Sequence, residues 1–188
     1  FMGTIFIYSF LNTVEIKFSN LTQINGIYIR NGGSKAFTGK VIGSRVGSLN
    51  NGLWHGSVSQ IRNDGMILSK KLYQSGTLHG PAKSFFEGGG LYEQGEYKNN
   101  IRRGVWLLYH RNGNLRSKGT FENGQKIGIW NYYYENNQRF MTGKHLDGFQ
   151  SGRWKIYFKN GILKEVGSYN KSVKEGIWEF YSQDGAKK

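Results

Sequence analysis

Four histidines, two neighbouring glutamates, one glycine run and a band of Tyr, Lys and Arg are the residues of this chain that could do chemistry. His55 and His79 lie 24 residues apart at equivalent places in successive segments. Two imidazoles so placed could approach one metal ion, but a stable site needs further ligands, and Asp64 is the only close candidate. No metal site is expected, and both histidines read as turn residues. His110 and His145 stand in columns otherwise filled by aromatic residues, so they read as packing residues. Glu93 and Glu96 belong to no recurring carboxylate pair and read as solvated strand residues. Gly88-Gly89-Gly90 sits at a turn, not before a helix, so it is no phosphate cradle. Nucleophile elbow, phosphate-binding loop and dinucleotide fingerprint are all missing. With no Cys, disulfides, thiolate zinc sites and a cysteine nucleophile are excluded. The chain reads as a protein that is not an enzyme and takes no cofactor.

Binding is the remaining chemistry. Lys and Arg number 26 against 12 Asp and Glu, a net charge of +14. The candidate contact residues are Tyr109, Tyr133, Tyr157 and Tyr181, with Arg111, Arg116, Lys155, Lys159 and Lys164 around them. Tyr and Arg are good anchors for a protein partner, which the charge predicts to be acidic. An anionic membrane surface is the second expectation. Nucleic acid could use phosphate contacts and stacking, but it is disfavoured because Lys is scattered through every unit. The bland alternative is a solubilising charge with Tyr in ordinary cross-strand packing.

The elements that carry these residues follow from a repeat. Trp106, Trp130, Trp154 and Trp178 are spaced by 24, and Gly104, Gly128, Gly152 and Gly176 precede them by two. Gly80 and Gly56 extend that column upstream. A second glycine column reads Gly47, Gly95, Gly119, Gly143 and Gly167, broken by Lys71. An aromatic column reads Tyr73, Tyr97, Phe121, His145 and Tyr169, and a turn column reads Gly52, Gly76, Asn100, Gly124, Gly148 and Ser172. Six units run from about residue 50 to the end, and a degenerate unit containing Tyr28 to Gly32 precedes them. Most of the 28 Gly are thus structural positions. With 15% aromatics and one Pro, the chain is neither a disordered linker nor collagen.

Within a unit, alternating residues flank Asn112-Gly113, a pair that favours a two-residue type I′ hairpin turn. Such a turn pairs Trp106 with Gly119, Leu108 with Ser117 and His110 with Leu115. The ring of Trp106 is then expected to lie over Gly119. One face carries Trp106, Leu108, His110, Leu115 and Phe121, with Trp130, Tyr132, Tyr134, Trp154, Ile156 and Phe158 in later units, and is expected to be buried. The opposite, exposed face carries the Tyr column and its basic neighbours, including Lys83 and Lys118. The second turn, near Asn123-Gly124, links one hairpin to the next. The fold class is therefore all-β, an elongated antiparallel meander of tandem 24-residue β-hairpins. Each unit adds roughly 10 Å and the array roughly 60 Å. Pro is nearly absent because interior strands exclude it.

The unit Gly-x-Trp-x-x-Tyr-x-x-Asn-Gly-x-Leu-x-x-x-Gly-x-Phe, as in Gly104 to Phe121 and Gly152 to Tyr169, resembles the MORN-repeat variant found in many bacterial proteins. The resemblance covers about residues 50–185 and extends weakly to residue 23. It implies a β-hairpin scaffold for protein contact, sometimes near membranes. Similar sequences of the YwqK group are labelled antitoxin-like, which implies neutralising a partner protein. Val58 and Ala82 depart from the pattern in place of Trp, and Arg139 stands where an apolar residue is usual.

The domain reading is an apolar segment, 1–22, followed by one repeat array, 23–188. Residues 1–11 are too short to span a bilayer. They read either as the apolar core of a truncated signal or anchor, or as a first strand. The compartment stays open between the cytoplasm and a bacterial envelope or secreted location. Pairing of two copies through the apolar face is a further expectation.

Overall fold

The computed structural model describes residues 14–188; the apolar segment 1–11 lies outside them. The chain is all-β. Its strands are β1 (Glu15–Lys17), β2 (Leu21–Ile24), β3 (Ile27–Arg30), β4 (Gly39–Ile42), β5 (Arg45–Asn50), β6 (Leu53–Ile61), β7 (Ile67–Gln74) and β8 (Thr77–Phe85). They continue with β9 (Leu91–Lys98), β10 (Ile101–Tyr109), β11 (Leu115–Glu122), β12 (Gln125–Tyr133), β13 (Arg139–Leu146), β14 (Phe149–Tyr157), β15 (Leu163–Asn170) and β16 (Val173–Phe180). Among the described residues, β4 to β16 pair in sequence order, and β1 joins β4 in parallel to complete one 14-stranded sheet. β2 and β3 form a separate hairpin.

The meander is as expected, but its two turns exchange roles. The type I′ turns lie between hairpins: Asn123 and Gly124 both take positive φ, 48° and 79°, and connect the paired Glu122 and Gln125. Asn51-Gly52, Ser75-Gly76, Asn99-Asn100, Asp147-Gly148 and Lys171-Ser172 repeat that geometry. At Asn112-Gly113 only Gly113 has positive φ. The loop there has three residues, 111–113, because the Gly113 N–H bonds the His110 carbonyl and the His110 N–H bonds the Asn114 carbonyl. A turn followed by a left-handed glycine makes a bulge, so the register slips after Leu108. Trp106–Gly119 and Leu108–Ser117 pair as expected, whereas Leu115 pairs with Tyr109 and not with His110. Asn112 serves through its side chain. Its Oδ1 accepts from the Asn114 N–H at 3.0 Å, and its Nδ2 donates to the Glu135 carbonyl of the next unit at 2.9 Å. Asn136 and Asn160 repeat this bond to Lys159 and Gln183. At the other end, the Gly124 N–H donates to the Arg102 carbonyl and the Gly148 N–H to the Lys126 carbonyl. The hairpins β10–β11, β12–β13 and β14–β15 are therefore stitched to the following unit at the tip as well as at the type I′ turn.

The core is a single row of rings. Trp106, Trp130 and Trp154 are at most 1% exposed, although one sheet supplies them all. The ring of Trp106 lies over Gly95 and that of Trp130 over Gly119. Each indole thus covers the glycine of the strand before it, not the glycine it faces within its own hairpin. The cause is a second bulge: Gly95 opposes Gly104 to Trp106, with Gly104 at φ 65°, and this swings the ring backwards. The indole N–H then donates to a carbonyl ten residues earlier, Glu96 for Trp106 and Thr120 for Trp130, each at 3.2 Å. Between the indoles stand Tyr97, Phe121, His145 and Tyr169. Centroids from Tyr97 to Trp178 follow at 5.1–6.0 Å, edge to face throughout. Each such contact stabilises by about 0.5–1.5 kcal/mol beyond area burial. The open side of the rings is covered by cations. Arg102 lies 4.0 Å over Trp106, Lys126 4.3 Å over Trp130 and Lys174 3.9 Å over Trp178.

In the first units the row changes. Val58 and Ala82 occupy the Trp position, and Trp54 fills the gap instead, reaching Gly47 beside Val58. The β2–β3 hairpin lays Tyr28 against Trp54, with Phe18 stacked on it at 6.2 Å, closing this end with Phe37, Val41 and Leu49. This is the capping that a repeat array needs at a terminus.

Gly119 tests the ring packing. A Cβ there would sit inside the Trp130 indole, so Gly119→Ala is expected to cost about 3 kcal/mol. Gly128 has φ 64°, and a methyl group at its Cα would meet no atom within 4 Å, so Gly128→Ala is expected to cost only about 1–2 kcal/mol. Denaturant midpoints of the two variants provide the check.

Candidate functional site

The two faces of the sheet carry different chemistry. On the face opposite the indoles, one cross-strand row runs Lys70, Lys83, Gln94, Leu107, Lys118, Asn131, Thr142, Lys155, Val166 and Glu179. Lys70, Lys83, Lys118 and Lys155 are exposed, and none of them joins an ion pair among the described residues. Lys70 and Lys83 face each other directly, an arrangement that costs stability. Beside this row, Tyr109, Tyr133, Tyr157 and Tyr181 stand half-buried. The Tyr109 hydroxyl accepts from Gln94 Nε2 at 2.9 Å, and the Tyr181 hydroxyl donates to Glu179 at 3.0 Å. The result is a flat band of phenol rings and free ammonium groups. Lys155 and the four tyrosines are thus together. Lys70 was missed, because its unit has Lys71 where the others have glycine.

Arg111, Arg116, Lys159 and Lys164 lie elsewhere than expected. Arg111 covers Phe86, Arg116 covers Tyr92, Lys159 lies over Tyr134 and Lys164 over Phe158, at 5.1–6.0 Å. Phe86, Tyr134 and Phe158 share the column of His110 at the hairpin tips. The bulge at Leu108/Tyr109 is the physical reason: strict alternation ends there, and Arg116 is the extra residue that the register skips. These cations therefore edge the indole face rather than the Tyr band.

The indole face is also not closed over. A groove of about 760 Å³ opens where Leu108, His110, Arg116, Ser117, Lys126 and Tyr132 meet, with Tyr134 and Phe140 as its far wall. A polar chain starts from its lining residues Lys126 and Tyr132. Lys126 Nζ donates to the Tyr132 hydroxyl at 3.1 Å, which lies 3.2 Å from His145 Nε2, and His145 Nδ1 reaches the Gly148 carbonyl at 3.2 Å. Burial pushes the Tyr132 phenol up to about 12, so it stays protonated and donates to His145. Nδ1 must then carry the imidazole proton to bond Gly148. Burial, and after it the Lys126 charge, hold His145 below its ordinary 6.5 against the pull of the Gly148 carbonyl. Burial likewise lowers Lys126, with the charges of Arg102 and Arg116 adding to it. His110 takes a similar tip role, its Nε2 donating to the Tyr133 carbonyl at 2.9 Å, and in the next unit the Tyr134 hydroxyl donates to the Tyr157 carbonyl. His79 meets the Asn99 side chain at 3.3 Å.

One comparison with known proteins, the family model, agrees with this geometry. A family model described as the MORN repeat variant matches residues 78–99, 102–123 and 150–171. These stretches are the hairpins β8–β9, β10–β11 and β14–β15, and β12–β13 lies between them in the same 24-residue phase. Three stretches of the chain are thus MORN-variant repeats, set in a tandem hairpin array of the same period. No curated protein matches it. Among solved structures, a crystal structure of a GtfA/B complex bound to UDP and GlcNAc aligns over 61% of this chain and 22% of that one. The identity is 12% and the TM-score 0.26, a superposition too loose to carry an argument.

His145 gives a pH dependence with a defined sign. Its folded pKa is depressed, so the unfolded chain takes up the proton first as pH falls. The stability it contributes is present above pH 6.5 and is lost as pH drops through the folded value. The denaturation midpoint is expected to be lower at pH 5 than at pH 7.5, and His145→Phe, which keeps a ring in the column, is expected to flatten that difference. An unchanged profile in His145→Phe would place the titration elsewhere.

Proposed function

We propose that this MORN-variant array is a non-enzymatic scaffold that binds an acidic protein partner through its Tyr and Lys band. The observation that carries this reading is the row of Lys70, Lys83, Lys118 and Lys155. These four exposed ammonium groups have no acidic residue opposite them, and two face each other at a cost in stability. A surface that holds like charges together without internal partners is explained by an outside partner of opposite charge. The half-buried tyrosines beside the row supply rigid apolar contact area at low entropic cost. Neutralising a partner by covering it, as an antitoxin or immunity protein does, is the form of this role that the repeat type suggests. A flat, preformed sheet suits it, because little order is lost on binding.

A second reading, attachment to an anionic membrane surface, is favoured by a separate observation. Val105, Ile129 and Ile177 project at the bulges with 53%, 60% and 90% exposure, and apolar side chains beside cations suit a lipid headgroup layer.

Co-expression with the product of the neighbouring gene tests the first reading. A stable complex is expected to co-purify, and raising salt from about 0.1 to 1 M should weaken it as the Debye length falls from ~10 to ~3 Å. Combined substitution Tyr133→Ala, Tyr157→Ala and Lys155→Glu is expected to weaken the complex roughly tenfold or more without loss of the β-sheet circular dichroism spectrum. Unchanged binding would show the band to be the wrong surface. Flotation of the chain with anionic liposomes, abolished by Val105→Ser, Ile129→Ser and Ile177→Ser together, is the outcome that would favour the membrane reading instead.

A further inference from the structure

The cations stacked directly on the indoles are paired with acids, with one exception. The cations that cover the indoles have an acid nine residues earlier on the adjacent strand. Arg102 Nη2 bonds both oxygens of Glu93, at 2.9 and 3.1 Å, and Lys174 Nζ bonds Glu165 at 2.7 Å. In the unit where the covering residue is the neutral Gln150, the residue nine earlier is neutral as well, Met141. Only at Lys126 is the cation kept while the acid is gone. The residue nine before it is Ser117, which is 4% exposed and much shorter than Glu. Lys126 belongs to no ion pair among the described residues. The place that Glu93 and Glu165 fill in their own units is open here, and it is the groove of about 760 Å³.

We propose that this groove is a binding site for a carboxylate carried on an apolar or aromatic body, with Lys126 receiving the carboxylate in the position that Glu93 and Glu165 occupy elsewhere. An ammonium group offers three donors, and the structure uses one of them, on Tyr132. A half-buried cation without a counter-ion is costly, and a carboxylate ligand removes that cost. Arg116 lines the same groove and adds a second positive charge. Leu108, Tyr134 and Phe140 form the wall that takes the body of the ligand. The volume falls within the ~300–1,000 Å³ usual for small-ligand sites. Among the described residues, the only carboxylate lining the groove is Glu135, and it makes no ion pair with Lys126. The lining consists of rings and the side-chain cations of Lys126, Arg116 and Lys159, not a nest of backbone N–H groups of the kind that favours phosphate, so a carboxylate is the better match. The groove opens on the indole face, with Tyr133 the one residue of the Tyr and Lys band that also lines it, and the proposal does not depend on the function proposed for that band.

Titration of the full chain with 3-phenylpropionate, followed by tryptophan fluorescence and amide and indole NMR signals, tests the proposal. Saturable shifts at Trp130 and Tyr132 are expected, and 3-phenylpropionamide should bind at least about tenfold more weakly. Lys126→Met keeps an apolar stem over Trp130 and should lose the same factor. Ser117→Glu supplies the missing acid from within. It should raise the denaturation midpoint and abolish probe binding, which keeps the test decisive even if Lys126→Met fails to fold. The blocked dipeptide acetyl-Phe-Glu-amide separates the sources. Tighter binding than phenylpropionate assigns the carboxylate to a protein side chain, and weaker binding assigns it to a free acid. Equal shifts from acid and amide, equal shifts from inorganic phosphate at the same concentration, or unaltered binding in Ser117→Glu would overturn the proposal.

Discussion

Everything in this chain depends on an indole ring lying flat against a backbone that has no side chain. A single sheet has no second layer to bury its apolar residues, so burial must be achieved within the thickness of one side chain. Trp106, Trp130, Trp154 and Trp178 achieve it by covering the glycines of the preceding strand. Their edges meet the alternating aromatic residues, and in three units a cation closes the top. The glycine columns, the aromatic column and part of the positive charge are consequences of that one contact. Arg102, Lys126 and Lys174 belong to the ring packing by this account, because their stems and charges lie on the rings.

The charge therefore divides into two populations. One is structural and sits on the indole face, balanced by Glu93 and Glu165 where the pairing is complete. The other lies on the opposite face, where the lysine row has no internal partner. Net charge alone does not distinguish them. The distinction lies in which face each residue occupies and whether an acid shares its position.

The repeat and the pairing of Trp106 with Gly119 were legible in the sequence, because a 24-residue period with alternating residues leaves little freedom in register. The identity of the turns was not. Asn-Gly occurs at both ends of the hairpin, at 112–113 and 123–124, and only the second has both residues left-handed. The single-residue slip that follows from the first moved Arg111, Arg116, Lys159 and Lys164 to the other edge, since alternation cannot be carried across a bulge. The direction of the Trp rings depends on the two-residue excess around Gly104, which no residue type announces. Trp54 replaces the missing Trp of Val58 through space rather than at its column position, which periodicity cannot show. The solitary state of Lys126 could have been read by comparing Glu93 and Arg102 with Ser117 and Lys126, but only once the strand register made the nine-residue spacing meaningful.

The stitching of hairpins at both ends bears on how such a chain can change over generations. The asparagine bonds at the tips and the backbone bonds at the type I′ turns each join one unit to the next and to nothing further away. A duplication or deletion of 24 residues would therefore re-form the same joints and shift everything downstream by two strands, roughly 10 Å. Length is thus a heritable variable that can change without redesigning any interior contact. Point changes such as Ser117 beside Lys126 mark an individual unit within the array, much as a graduation marks a place on a scale.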